Sequence, residues 1–486
     1  MQESGQGARD AATGAFAALQ TPRAMAALGL FCALLPALAM WGFTVDDALI
    51  PVRYAHNIAT GAGYRFDAHG PVTDGVTPLP WAWMLAPLAG GADPLATLGL
   101  AKALGVAAWA VAGGVLGARV GALACGGRGE RASRALLAAL ALLVMALAFP
   151  IGAWAASGME TGLATAIATC AIARLGVGRW WLVAVIAGLV PALRPEMVVW
   201  AIAVGAGAAA LERGARLARV VAGAALGSWA FAVCALVRLV AFGRVAPLSV
   251  LAKPSDLTHG ATYAAAAALV VLTPVLVIAP VTILRGRASP LALVVVLAFG
   301  AHVLAVMAAG GDWMPYARLM VPVAPSLVLA FVEIARASRL ATSAARIAAA
   351  MVLGGLVAAR AAPAGRGVQR DRVELIGRAR PTLAGARVVA ALDVGWVGAS
   401  TDARIVDLAG LTDEAIAALP GGHTSKRVDV SMLLDRGVDV VVVYSELRVV
   451  EARIVSSALF AERFEAAERL PLGSRGAFYT LYRRRA

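Results

Sequence analysis

Long apolar runs separated by short groups of arginines limit what this chain can fold into more than any other feature. A run of about 20 apolar residues reaches across the hydrocarbon layer as a helix, and a chain built from many such runs has no soluble globular solution. Composition agrees. Of 486 residues, 60% are hydrophobic and only 15% charged, with a mean hydropathy of +0.78. The net charge of +14 does not point to nucleic acid as a partner, because no basic face with interleaved aromatics is present. The arginines fall between apolar runs, as in cytoplasmic loops under the positive-inside rule. Lysine occurs only at Lys102, Lys253 and Lys426. Cys32, Cys125, Cys170 and Cys234 form no CxxC pair, which argues against a disulfide framework or a zinc site.

The punctuation sets an expected topology. Ala24–Phe43 reads as a first anchor starting in the cytoplasm, followed by a polar loop from Thr44 to Pro78. Leu79–Gly91 is too short to span and reads as a helix at the interface, with Trp81 and Trp83 at the headgroups. A full span follows over Pro94–Ala118. Arginine clusters stand at Arg119–Arg134, Arg174 and Arg179, Arg213–Arg219, Arg285 and Arg287, and Arg336–Arg346. Between them lie arginine-poor breaks at Ser157–Thr161, Arg194–Glu196, Gly243–Tyr263 and Gly310–Arg318. Clusters inside and breaks outside give about eleven spans, the last near Ile347–Ala361. The segments flanking Arg194 are short for spans. From 362 to 486 the pattern changes to that of a small extracytoplasmic α/β domain. Arg387–Leu392, Arg404–Asp407 and Val438–Tyr444 read as strands, and Asp413–Leu419 and Asp429–Leu434 as helices. The expected fold class is an α-helical polytopic membrane domain over 1–361 with this α/β domain after it.

Chemistry concentrates at the breaks. Asp46 and Asp47 follow the first anchor directly, where two carboxylates are costly to hold. They read as a general base on a hydroxyl, as oxygen ligands for a divalent cation (Mg, Mn or Ca), or simply as a helix N-cap. Arg53 and His56 follow at helical spacing. Asp74, Glu160, Arg194, Glu196, Lys253, Asp312 and Arg318 supply further charge to the same outer face. Arg194 with Glu196 also fits an internal ion pair, His56 a satisfied structural residue and Lys253 a solvated loop charge. Cations that stabilise a departing phosphate, with a carboxylate to take a proton, suit group transfer from a phosphorylated lipid. No nucleotide-binding loop is present.

Several segments, in order, resemble one family. VDDALIPVRYAHNIATGAGYRF, SGMET, ALRPE, the PLSVLAK run from Pro247 to Lys253, GGDWMPYARLMVPVAP, DVGWVG and IVDLAGLTD resemble motifs of bacterial GT-C membrane glycosyltransferases. The likeness is to the terminal β-arabinofuranosyltransferases and related flagellar-motor-control-like membrane proteins. The resemblance implies a GT-C fold and inverting transfer of a sugar, arabinofuranose being one candidate, from a polyprenyl-phosphate donor. The acceptor would be a cell-envelope glycan or glycolipid, on the outer face of the bacterial inner membrane. By position it makes Asp46 or Asp47 the base, and Arg194, Lys253 and Arg318 ligands of donor phosphate or acceptor. Arg53 is a further substrate-binding position, with His56, Asp74, Glu160, Glu196 and Asp312 in support. DGVTPLPW, with Asp74, and Leu49 depart from the family pattern, which leaves sugar and acceptor open. The rival classes are a transporter, which calls for pseudo-symmetric halves that the sequence lacks, and a non-catalytic envelope or motility factor.

Overall fold

The computed structural model describes residues 21–91, 93–125, 131–253, 255–267, 288–336, 338–474 and 476–485. The run expected to span before Arg285, and Arg285 and Arg287 themselves, lie outside the described residues.

The first anchor is helix α1, Pro22–Ala39, started by Thr21, whose hydroxyl accepts from the Ala24 amide. After the 3-10 turn Asp46–Ala48 come α2, Leu49–Ala59, and α3, Leu79–Leu85. The span expected to end at Ala118 continues: α4 runs from Pro94 to Cys125. It packs on α1 through small residues. Added Cβ atoms at Gly29 and Gly117 would sit 2.2 Å from the Gly113 carbonyl oxygen and 2.1 Å from that of Met25. Glycines four apart let two helix backbones touch where lipid supplies no hydrophobic drive to association.

The remaining membrane-domain helices are α5 (Arg131–Leu147), α6 (Phe149–Ala155), α7 (Thr161–Ala173), α8 (Trp180–Leu193), α9 (Val198–Ala210) and α10 (Leu217–Phe242). Then follow α11 (Leu248–Ala252), α12 (Leu257–Ala267), α13 (Pro290–Ala308), α14 (Ser326–Ala335) and α15 (Leu340–Arg366). Among the described residues five helices are long and apolar enough to cross a membrane, or six if the pair α5 and α6, bent by 60°, counts as one. The eleven expected spans are not confirmed among these residues. The helices around the expected breaks, α7, α8, α9 and α14, are short apolar helices. At 1.5 Å per residue, 13 or 14 residues give about 20 Å, well under the roughly 30 Å of hydrocarbon.

Trp81 departs from its expected place. It is fully buried, while Trp83 is exposed, so one tryptophan of α3 packs inward and only the other is available to an interface.

The C-terminal part begins with α16, Val368–Leu383, an amphipathic helix with no counterpart in the sequence reading. A five-stranded sheet follows, in the order β2-β1-β3-β5-β4. β1 (Val388–Ala391), β2 (Arg404–Asp407) and β3 (Val440–Tyr444) lie close to the expected strands and pair in parallel. The antiparallel hairpin of β4 (Phe464–Leu472) and β5 (Ala477–Arg484) was not anticipated. Helix α17, Val394–Ser400, leads from β1 toward β2. Two short helices lie where expected, α18 (Glu414–Ala417) and α19 (Val430–Asp435).

Candidate active site

The four arginine-poor breaks meet. A cavity of about 320 Å³ is walled by Asp47, Ile50 and Pro51 of the first loop and α2, and by Gly75–Pro78 further along the same loop. Glu160, Arg194 and Glu196 close another side, with Lys253, Asp312, Arg318 and, from the C-terminal domain, Leu411. Arg194 caps the end of α8, and α7 and α13 also have an end at this cavity. The opposite ends carry the arginine clusters: Arg119 Nη2 donates to the Leu175 carbonyl at 3.1 Å, and Gly176, Gly178 and Arg213 share a second, distant pocket. The expected alternation thus sorts breaks to one end of the helices and described clusters to the other.

Adjacent in sequence, Asp46 and Asp47 separate in space. The Asp47 side chain faces the cavity and makes no hydrogen bond or ion pair among the described residues. Asp46 turns into the C-terminal domain, where its carboxylate accepts from the amides of Gly395 (2.8 Å) and Trp396 (2.9 Å) at the start of α17, with Arg372 3.8 Å away. Burial pushes Asp46 up to about 7, Arg372 and the Trp396 amide pull the other way, and Asp393 and Asp47 add to the rise. Both Asp46 oxygens accept from backbone amides, and of the two carboxylates Asp47 lines the cavity. Among the described residues no group of three or more His, Cys, Asp and Glu side chains converges as a metal site.

Glu160 is fully buried and accepts from Arg194 at 2.8 Å through Oε1. Its Oε2 has no hydrogen-bond partner among the described residues. Arg194 also reaches Glu196, its Nη2 lying 2.6 Å from Oε1. The pairing read from sequence is therefore present, and the pair lines the cavity rather than lying apart from it. Asp312 accepts from Arg318 at 2.7 Å and from the Trp313 and Met314 amides. Burial alone would raise the Asp312 carboxyl, but Arg318, Lys253 and Arg194 hold it below the ordinary range. The Lys253 side chain makes no hydrogen bond or ion pair among the described residues. The backbone between Asp312 and Arg318 is strained: Tyr316 and Ala317 both adopt positive φ, 59° and 52°, a conformation that costs energy for side chains of this size. Their turn brings Arg318 back to Asp312 across six residues.

Three further sequence candidates, Arg53, His56 and Asp74, do not line the cavity. Arg53 does not reach the cavity. Its guanidinium donates to the carbonyls of Phe66, Gly398, Thr401 and Ala403 and to Asp67, at 2.8–3.0 Å. Every donor is used, two within the first loop and three in tying it to the C-terminal domain, which leaves none for a phosphate. His56 sits with Arg53 at a different pocket, beside Asp67, His69 and Asp402. Asp74 is fully buried and pairs with Arg238 of α10 at 2.8 Å, anchoring the loop from behind. Gly75, which does line the cavity, leaves no space for a side chain: a Cβ there would lie 2.6 Å from the Tyr54 hydroxyl.

Arg238 and Lys102 were missed as structural charges. Lys102, fully buried in α4, donates to the Trp41 and Phe43 carbonyls and to Gln369 Oε1. The available signal was a lone charge within an apolar run, which must find a partner.

Residues 367–482 match a family described as a domain of unknown function, DUF8728; the match covers α16 to β5 and not the cavity's charged wall. No curated protein and no solved structure matches the chain.

Proposed function

We propose that this chain is an inverting glycosyltransferase that moves a sugar from a polyprenyl-phosphate donor to a hydroxyl of a cell-envelope glycan or glycolipid on the outer face of the inner membrane. The observation that carries the reading is the cavity itself, where the unpartnered carboxylate of Asp47 shares walls with Lys253, Arg194 and Arg318. Six ordered segments that resemble GT-C family motifs contribute to its walls, through Asp47, Glu160, Arg194, Lys253, Asp312 and Leu411. The short helices beside it, α7, α8 and α9, support a site recessed below the membrane surface, within reach of a lipid-borne headgroup.

In this reading Asp47 takes the proton from the acceptor hydroxyl as its oxygen attacks the anomeric carbon. The bond from that carbon to the phosphate oxygen breaks, and the electron pair leaves with polyprenyl phosphate. Lys253, aided by Arg194 and Arg318, stabilises the charge that develops there. Attack from the face opposite the phosphate inverts the anomeric centre. Glu160 Oε2 offers a buried acceptor to a hydroxyl of the donor sugar.

The test is transfer from a decaprenyl-phosphoryl sugar by purified protein. Asp47→Asn loses roughly 100-fold or more in rate, the usual scale for a general base, while Asp46→Asn in a folded sample loses far less. An unchanged rate in Asp47→Asn sinks the proposal.

A further inference from the structure

Trp313 is 72% exposed, whereas Trp81, Trp109, Trp154, Trp200 and Trp396 are fully buried. It is also held in place. The indole stacks on the His259 ring, centroids 4.3 Å apart and planes within 18°. The His259 ring is itself fixed by a 2.7 Å hydrogen bond to the Gly310 carbonyl, and the His259 amide donates to Asp256 at the start of α12. The Trp313 amide donates to Asp312 at 2.9 Å, so the ring is tied directly to a residue of the cavity wall. Across from it, His423 of the C-terminal domain lies 6.3 Å away at a tilt of 56°.

A large apolar ring left in the open, with one face backed and its backbone fixed, is preorganised to bind something flat and partly apolar. The face of a sugar ring, with its C–H bonds, has that character. We propose that Trp313, backed by His259 and faced by His423, is the stacking platform for the saccharide acceptor beside the cavity. The assignment rests on the transferase reading and deepens it by placing the acceptor between membrane domain and C-terminal domain. The donor phosphate belongs with Lys253, Arg194 and Arg318, and Trp313 directly follows Asp312 of the cavity wall, which sets an acceptor stacked on it beside the cavity. Burial and the nearby Lys253 hold the His423 ring down at about 4, so it is neutral at pH 7 and both donates to and accepts from sugar hydroxyls.

The test uses the full chain in lipid nanodiscs, labelled with fluorotryptophan, with the Trp313 fluorine signal assigned by its loss in Trp313→Phe. The probes are an arabinofuranosyl hexasaccharide, maltohexaose, and a phosphatidylcholine spin-labelled on its headgroup. The expected result is a Trp313 signal that shifts with a saccharide and is not broadened by the spin label. Trp313→Ala should weaken saccharide binding roughly tenfold, as loss of an aromatic contact worth about 1.4 kcal/mol would, and Trp313→Phe should weaken it less. A signal broadened by the headgroup label and unmoved by either saccharide overturns the inference and marks a membrane-interface anchor. Wild-type protein that transfers sugar while Trp313→Ala keeps its acceptor KM overturns the platform alone. Saccharide shifts in a wild-type protein that transfers nothing overturn the transferase reading instead.

Discussion

The Asp46 carboxylate and the Gly395 amide, 349 positions apart, meet at 2.8 Å. The contact leaves no room for a side chain at 395, where a Cβ would lie 2.0 Å from the Asp46 carbonyl oxygen. The first loop is thereby docked onto the start of α17, and its next residue, Asp47, is left facing the cavity.

Gly395→Ala should therefore undock the C-terminal domain from the first loop. Asp46→Ala should act in the same direction, leaving two amides without acceptors at a cost of about 1–3 kcal/mol each. Limited proteolysis of the purified chain checks this: both variants should be cut in the C-terminal domain faster than wild type, and Asp47→Asn should not. Equal cleavage of all four would show that the contact holds nothing together.

Arg53→Lys should destabilise the fold without touching donor affinity. A lysine has three donors and no planar fork, so at least two of the five bonds made by Arg53 are lost, at a cost of about 2–3 kcal/mol. The expected result is a lower melting temperature with an unchanged KM for the lipid donor. A raised KM in protein that melts normally would return Arg53 to the substrate site.

Lys253→Ala should weaken the donor without unfolding the protein, because the Lys253 side chain makes no hydrogen bond or ion pair among the described residues. Loss of one charge-assisted bond to phosphate corresponds to roughly 10- to 100-fold in affinity. Titration with decaprenyl phosphate reads this directly, and Lys253→Arg should recover much of it. Wild-type affinity in Lys253→Ala would remove this residue from the phosphate site.

Acid should loosen the cavity rim through His423. Its pKa is held down at about 4 against an ordinary value near 6.5, so the unfolded chain binds a proton that the folded one refuses. The stability this group contributes is complete above about pH 6.5 and is lost as pH falls toward 4. Asp312, depressed by Arg318, Lys253 and Arg194 against burial, loses its contribution only below the ordinary aspartate range, so the two windows separate. Melting curves of wild type and His423→Asn between about pH 7 and pH 4.5 should diverge by about 1 kcal/mol at the acid end, after allowance for solvent screening of a half-buried ring. The wild type should be the more acid-sensitive. Parallel curves would mean that the ring titrates normally.

The strands β1, β2 and β3 were legible because β-branched runs advertise a buried sheet, and the arginine-poor breaks because charge interrupts apolar runs. The β4–β5 hairpin was not legible. Phe464–Leu472 is largely exposed and carries Glu465, Glu468 and Arg469, so it has neither an apolar run nor a clean alternation to mark it. Trp81 and Trp83 show the same limit within three residues: a tryptophan beside a membrane segment fits the interface or the interior equally well, and only packing decided that Trp81 is buried.

The sequence by itself determined the apolar segments, the charged breaks and the order of the motifs, because those follow from how each short stretch partitions between water and hydrocarbon. Only the tertiary structure decided which of two adjacent aspartates faces the cavity, and that the arginine six residues after Asp47 clamps two domains together rather than meeting substrate. The reason is physical. Neighbouring side chains share a local environment, and what distinguishes Asp46 from Asp47 is an amide brought to one of them from the far end of the chain.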